Sequence, residues 1–150
     1  MNDLLDTLDK ASSNNLPWLL DFVGAHLSLK TPAQWGDIIR QIMIYYEGLD
    51  SSGRTAFENT VNIVPCPQDW MNGNLQRHFI FAPNVAFRKT KGWTPYDKTA
   101  FGCFKCLRNN STHGSDLTEY AYPMLLGSFV CDVIWILLAK KYPIQKALGI

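Results

Sequence analysis

An apolar stretch near the end of the chain constrains the fold most strongly. Residues 121–139 include one charged side chain, that of Asp132, and apolar side chains cover nearly the whole circumference of the helix they would form. Such a helix is either the central helix of a core or part of a protein interface. The amphipathic segments elsewhere in the chain are sufficient to cover it.

A transmembrane helix is the alternative for the same stretch. Its nineteen residues approach the roughly 20 that a membrane span requires, and two lysines follow it. However, Pro123 and Asp132 lie inside it, and a charge at that depth costs about 2.5–3.5 kcal/mol on insertion scales. We therefore predict a buried helix and no membrane insertion.

The first 62 residues predict further helices by their apolar periodicity. The third has the clearest start, because Thr31 suits an N-cap and Pro32 suits the first helical position. It is expected to end near Gly48. The helices predicted here span about 2–12, 16–29, 32–48 and 53–62. Together with 97–107 and 115–142 they predict an all-α helical bundle in a single domain of residues 1–150.

Residues 63–95 break this pattern and predict a long irregular insertion, since prolines and glycines punctuate them. Within it, the segments HFIFA and VAFRK flank Pro83-Asn84 and can pair as a small β-hairpin. Aromatic and basic residues alternate along the insertion, as in surfaces that stack bases and contact phosphates. The other explanation is that the aromatic side chains anchor the insertion to the bundle.

Charge is distributed unevenly along the chain. The net charge of +1 combines −5 over residues 1–75 with +6 over residues 76–150. Between Arg77 and Arg108 there are seven basic residues and one acid, Asp97. This excess favours a polyanion near Arg108 and His113, or it is a solvated basic loop. The basic residues predicted to contact the polyanion are Arg88, Lys89, Lys91 and Lys105.

The cysteines favour a reducing compartment. The four of them show no framework spacing, and the start of the chain, MNDLLDTLDK, lacks the features of a signal or transit peptide. We therefore expect a cytoplasmic protein. Cys103 and Cys106 form a single CxxC without a second pair, so we predict buried core cysteines and neither a metal site nor a cofactor.

A polar segment, residues 108–115, separates the helix predicted over 97–107 from the apolar one. It is rich in residues that favour caps and turns, and Ser115 is a candidate N-cap for the next helix. Arg108 and His113 lie five positions apart in it. A guanidinium can hold a phosphate through its planar fork, and an imidazole can transfer a proton near neutral pH.

The sequence Arg108-Asn109-Asn110-Ser111-Thr112-His113 resembles the R-x(4–6)-H motif of the HEPN superfamily. These are small helical proteins that often act as metal-independent ribonucleases in toxin–antitoxin, abortive-infection and CRISPR systems. Asn109 is the polar residue that commonly follows the arginine in that family. The resemblance covers about residues 96–142, and the tyrosine that some relatives carry two residues after the histidine is Ser115 here.

The resemblance implies a metal-independent endoribonuclease that leaves a 2′,3′-cyclic phosphate. Arg108 and His113 would be catalytic, and Asn109 would orient the substrate or the histidine. Because one motif supplies a single histidine, the resemblance also implies a homodimer whose two motifs form a composite site. An antitoxin is a further partner that this family implies.

A HEPN-like bundle without catalytic activity is the alternative. In that case Arg108 would cap the preceding helix, His113 would cap or pack the junction, and the protein would bind nucleic acid or a protein partner.

Overall fold

The computed structural model describes residues 31–67, 82–113 and 116–149. Within these ranges the chain is mostly helical and contains no strand, which confirms the all-α prediction for them. The helices predicted over 2–12 and 16–29 lie outside the described residues. The helices are α1 (Pro32–Glu47), α2 (Ser51–Val61), α3 (Ala82–Thr90), α4 (Ala100–His113), α5 (Asp116–Ala139) and α6 (Gln145–Leu148).

Helix α1 begins and ends where the sequence predicts. The Thr31 hydroxyl accepts a hydrogen bond from the Gln34 N–H at 3.3 Å, and the Gln34 side-chain oxygen accepts one from the Thr31 N–H at 2.8 Å. This reciprocal capping box satisfies two N–H groups that the first turn would leave without partners. Pro32 follows the cap, and Gly48 is the C-cap.

Helix α2 confirms the short helix predicted over 53–62. It starts at Ser51 because the Asp50 carboxylate accepts a hydrogen bond from the Gly53 N–H at 2.7 Å, an N-cap that the sequence prediction overlooked. Phe57 and Val61, four positions apart, are both fully buried. Helix α6, which the sequence analysis did not predict, adds the buried Leu148.

The predicted hairpin is wrong for its second strand, because residues 85–89 lie in α3 and not in a strand. Val85 and Arg88, three positions apart, are half-buried, while the two residues between them are exposed. That is a helical period and not the alternation of a strand. The segment is rich in Ala, Arg and Lys, which are good helix formers. The remainder of the predicted irregular segment includes residues 68–81, which lie outside the described residues.

Helix α5 is a core helix along its described side chains. Seven of them are buried: Phe129, Val130, Cys131, Val133, Ile134, Leu137 and Leu138. Ser128, Asp132 and Ala139 are exposed and share one narrow stripe, so the carboxylate is solvated rather than buried. Among the described residues, no helix is both long and apolar enough to cross a membrane.

Helix α4 lies at the centre of the fold and packs against α1, α2, α3 and α5. Cys103, Phe104, Cys106 and Leu107 are each at most 1% exposed, as an apolar face three and four residues apart requires. Beside it, Phe57 of α2 contacts an aromatic cluster with ring centroids 5.3–6.3 Å away. Its members are Tyr45, Tyr46, Phe101 and Tyr142.

Two polar side chains define the start of α4. The Thr99 hydroxyl accepts a hydrogen bond from the Gly102 N–H at 3.1 Å, and the Asn62 side-chain oxygen accepts one from the Phe101 N–H at 2.9 Å. Asn62 is also the C-cap of α2. The end of α2 therefore caps the start of α4, which fixes the position of α4 along the bundle.

Gly102 is the position where a single methyl group is expected to disrupt this arrangement. A Cβ there would lie 2.0 Å from the Asp97 carbonyl oxygen, and backbone cannot move aside as a side chain can. Glycine to alanine within a helix normally stabilises by about 1 kcal/mol. For Gly102→Ala we expect the opposite sign, a loss of about 3 kcal/mol, since overpacking alone costs about 1–3 kcal/mol.

Urea unfolding of Gly102→Ala beside Ser52→Ala, an exposed change in α2, would measure this difference. The control should stay within about 0.5 kcal/mol of the wild type. An alanine at position 102 that leaves stability unchanged would mean that the loop before α4 does not approach the helix this closely.

Candidate functional site

The end of α4 carries the Arg–His motif, and its backbone differs from the prediction. The helix continues through residues 108–113 to His113, so the predicted polar break before that residue is wrong. Extending an existing helix adds one hydrogen bond per residue, and Asn, Ser and Thr cost only a fraction of a kcal/mol each. The candidate N-cap Ser115 and the side chain of His113 lie outside the described residues.

Continuous helix sets the angle between the two motif positions. Five steps of about 100° place positions 108 and 113 about 140° apart around the α4 axis. They therefore occupy different sides of the helix and are separated along it by about 7.5 Å of rise.

Arg108 forms an ion pair across the bundle. Its Nη2 lies 2.9 Å from Oε1 of Glu47, the last residue of α1. The arginine side chain is 27% exposed and the carboxylate is 47% exposed, while the guanidinium Nε is buried. A pair this exposed contributes about 0.2–1 kcal/mol. The guanidinium is thus held in a defined place at the edge of the core with little gain in stability.

Two arginine side chains lie at the C-terminus of α1 for an electrostatic reason. The carbonyl end of a helix carries partial negative charge, and Glu47 adds a carboxylate to it. Arg108 pairs with that carboxylate, and Arg54 of α2 donates a hydrogen bond to the Glu47 carbonyl oxygen. The two arginines together offset the charge at this helix end.

Tyr46 lies beside the same helix end. Its hydroxyl donates a hydrogen bond to Glu58, and the Arg54 guanidinium lies 5.6 Å from its ring centroid. Burial, and then the hydrogen bond to the Glu58 carboxylate, raise the pKa of Tyr46 to about 12. The phenol therefore keeps its proton at neutral pH and acts here as a hydrogen-bond donor.

Asn109 contacts the protein itself. Its amide nitrogen donates a hydrogen bond to the Tyr96 hydroxyl at 2.6 Å, and Tyr96 is 5% exposed. The Arg88 guanidinium stacks on the Tyr96 ring, 4.3 Å from its centroid. The Asn109 amide and the Arg88 guanidinium thus both contact Tyr96 and hold the loop before α4 in place. Sequence reasoning missed Tyr96, because nothing marks one aromatic residue after Pro95 as buried.

Arg88 is also bound to the loop that follows α3. Its Nε and Nη2 donate to the Thr94 carbonyl oxygen at 3.0 and 2.7 Å. Lys89 and Lys91 are exposed, and Lys105 is half-buried on α4. Of the four basic residues predicted to contact RNA, Arg88 therefore has a structural role, and Lys89 and Lys91 are the most solvated.

The CxxC cysteines are buried, as predicted. Burial raises the pKa of Cys106 to about 12, although Arg88 and a hydrogen bond with Tyr96 act in the opposite direction. Burial also raises the pKa of Cys103 well above its ordinary value. Within the described ranges, no group of three or more His, Cys, Asp or Glu side chains is arranged to hold a metal ion.

Thiol labelling checks this burial. Cys66 is exposed, so it should react first with a maleimide. The thiolate is the reactive form, and the buried Cys103, Cys106 and Cys131 should react only on unfolding. Burial raises the pKa of Cys66 as well, so its labelling should be slower at pH 7 than that of free cysteine. Mass spectrometry of intact protein over time would count the labels. Several equally fast labels would contradict the core described for α4.

Stability measurements separate the roles of the two neighbours on α4. Asn109→Ala removes one hydrogen bond of the buried Tyr96 hydroxyl and leaves the one with Cys106, so it should cost about 0.5–1.5 kcal/mol. Arg108→Ala breaks a half-exposed pair and should cost about 1 kcal/mol or less. Urea unfolding of both variants would show which of them is the more destabilising. If Arg108→Ala were the more destabilising, the arginine would be chiefly a structural residue.

Comparisons with protein-family models, with curated proteins and with solved structures found no match.

Proposed function

We propose that this protein is a metal-independent endoribonuclease of the HEPN type, acting in the cytoplasm as a toxin or an anti-phage defence effector. The observation that carries the proposal is the position of Arg108, five residues before His113 at the end of α4. Its guanidinium is oriented by Glu47 and remains about a quarter exposed, and an ion pair this exposed is expected to contribute only about 0.2–1 kcal/mol to stability. An arginine with these properties is suited to binding a phosphate.

The proposed reaction uses the RNA's own 2′-hydroxyl. A base removes its proton, the 2′-oxygen attacks phosphorus, and the 5′-oxygen leaves with a proton from an acid. The products are a 2′,3′-cyclic phosphate and a 5′-hydroxyl. His113 would transfer a proton, since imidazole exists in both protonation states near neutral pH. Arg108 would stabilise the charge on the phosphoryl oxygens. Asn109 would act indirectly, by holding the helix end through Tyr96.

The geometry of α4 supports a composite site. Positions 108 and 113 are about 140° apart around one helix, which makes it difficult for one chain to present both to a single phosphate. A two-fold axis near the end of α4 would place His113 of one copy beside Arg108 of the other. We therefore propose a homodimer as the active form, with an antitoxin as a regulatory partner.

A second candidate is a non-catalytic module that binds nucleic acid or a protein partner. The contacts of Arg108 with Glu47 and of Asn109 with Tyr96 favour it, because they give both motif residues a structural role. The two candidates differ in whether RNA is cut.

The test is cleavage of a labelled single-stranded RNA in EDTA. The wild type should generate 2′,3′-cyclic phosphate ends. His113→Ala should lower the rate about 10²- to 10⁴-fold and Arg108→Ala about 10²- to 10³-fold. Glu47→Gln should keep kcat and lower KM, because it removes a negative charge near the phosphate while leaving a hydrogen-bond acceptor for Arg108.

Arg40→Ala is the matched control, since Arg40 also forms a partly exposed ion pair, with Asp37 on α1 at 3.6 Å. It should cleave like the wild type. A folded dimer that leaves RNA intact, or Arg108→Ala and His113→Ala variants that cut as fast as Arg40→Ala, would exclude the nuclease and leave the binding module.

A further inference from the structure

Two large aromatic side chains are exposed side by side after α3. Phe87 is 51% exposed and Trp93 is 53% exposed. Their ring centroids lie 5.7 Å apart with the planes at 83°, an edge-to-face pair. The other exposed large apolar side chains among the described residues are Ile44 and Ile63, which are aliphatic.

The backbone explains why the two rings meet. The Trp93 N–H donates to the Arg88 carbonyl and the Gly92 N–H donates to the Lys89 carbonyl, both at 3.1 Å. Gly92 has a φ of +66°, which glycine adopts without strain. These are the two hydrogen bonds of a Schellman motif, which frequently includes an apolar contact between the residues at the positions of Trp93 and Phe87.

Helix capping accounts for the contact but not for the exposure. A capping pair can be small and aliphatic, whereas this one leaves about half of a tryptophan and half of a phenylalanine in water. The Arg88 guanidinium lies 5.9 Å from the Trp93 ring centroid. The same guanidinium donates a hydrogen bond to the Thr94 carbonyl oxygen. Trp93 is therefore held in place by Arg88 and Phe87 while about half of its side chain stays exposed.

The charge around the pair is positive. Lys89 and Lys91 are exposed next to it, and the Lys91 ammonium lies 5.5 Å from the Phe87 ring centroid. From residue 82 to residue 98 the chain contains four cations and one acid, Asp97. Aromatic rings beside exposed ammonium groups are the combination that binds single-stranded nucleic acid, by stacking bases and neutralising phosphates.

We propose that Trp93 and Phe87 form a stacking platform for unpaired bases of single-stranded RNA, with Lys89 and Lys91 contacting the flanking phosphates. This inference rests on the proposed function in taking RNA as the polymer, and it names the substrate class as unpaired RNA. In a duplex the bases are stacked on one another and their faces are not accessible, so the platform discriminates against paired RNA.

The experiment measures binding to a ligand that this chemistry cannot cleave. A 2′-O-methyl oligonucleotide lacks the attacking hydroxyl, so its Kd reports binding alone, and an abasic oligonucleotide of equal length keeps the phosphates without the bases. Trp93→Ala should weaken binding of the first about 5- to 150-fold, and should leave binding of the second unchanged. Trp93→Phe should retain most of the affinity, which excludes loss of folding as the cause.

Ile63→Ala is the matched control for removal of an exposed apolar side chain, because Ile63 is 60% exposed and follows α2. It should bind both oligonucleotides like the wild type. A Trp93→Ala variant with wild-type affinity, or one that loses affinity for the abasic oligonucleotide equally, would overturn the stacking platform.

The lysines are tested by salt dependence. The double variant Lys89→Gln/Lys91→Gln should reduce the slope of log Kd against log salt by about 1.4, since each phosphate contact on a single strand contributes about 0.7. Lys140→Gln/Lys146→Gln is the control, because both lysines are exposed elsewhere in the chain. An equal reduction in slope for the two double variants would mean that binding is not localised at the platform.

Two further results would overturn the inference. One is equal affinity for the duplex form of the oligonucleotide. The other is binding of anionic lipid vesicles through Trp93 without binding of RNA, which would make the patch a membrane-contact surface. A platform that binds while no RNA is cleaved would refute the proposed nuclease and leave this inference intact.

Discussion

Burial of the first two turns of α4 is the contact on which the rest of the structure depends. Phe104 and Leu107 belong to the buried core, α4 packs against α1, α2 and α5, and the start of the helix is fixed by Thr99 and Asn62. Removing a buried side chain of this size costs about 2–5 kcal/mol, a large share of the 5–15 kcal/mol that stabilises a typical domain. Among the described side chains of α4, Leu107 is the last buried one, and Arg108 directly follows it at the edge of the core.

The small contribution of the Arg108–Glu47 ion pair to stability helps to explain why this edge of the core carries an arginine and not a lysine. A half-exposed ion pair contributes about 0.2–1 kcal/mol, much less than the neighbouring apolar contacts. A lysine would satisfy the helix end as well, since the electrostatic effect depends on charge and not on a planar fork. The fork is useful where two oxygens of one group are bound together, as in a phosphate. This difference favours a ligand-binding role for Arg108 beyond its contact with α1.

Sequence reasoning succeeded where the signals were local. The limits of α1 follow from Thr31, Pro32 and Gly48, whose effects act within one turn, and the apolar period of the helix agrees with them. It failed where tertiary contacts override propensity. The polar residues after Leu107 predict a break, but a helix already anchored in the core continues through them. The segment VAFRK fits a strand as well as a helix, because five residues are too few to distinguish the two periods.

The candidate site residues were predicted from their chemical types, and their partners were not. Nothing local indicates that Glu47 would meet Arg108, since the two are 61 positions apart, or that Tyr96 would be buried. Pairings of this kind arise from how helices pack, which a single sequence does not specify. The basic residues illustrate the same limit. Charge alone made Arg88 equivalent to Lys89, yet one is bound to the Thr94 carbonyl and the other is exposed.

Tyr96 connects the two proposed parts of the RNA site. Arg88 lies 5.9 Å from the Trp93 ring centroid and 4.3 Å from that of Tyr96, and the Tyr96 hydroxyl accepts a hydrogen bond from Asn109 at 2.6 Å. Asn109 adjoins Arg108 on α4. The chain of contacts runs from the exposed tryptophan through a buried ring to the helix end. Because its inner members are buried or hydrogen-bonded, the spacing between platform and Arg108 is fixed by the core. If both proposals hold, a strand stacked on Trp93 would therefore lie at a fixed distance from Arg108 of the same chain, as positioning of a substrate for reaction requires.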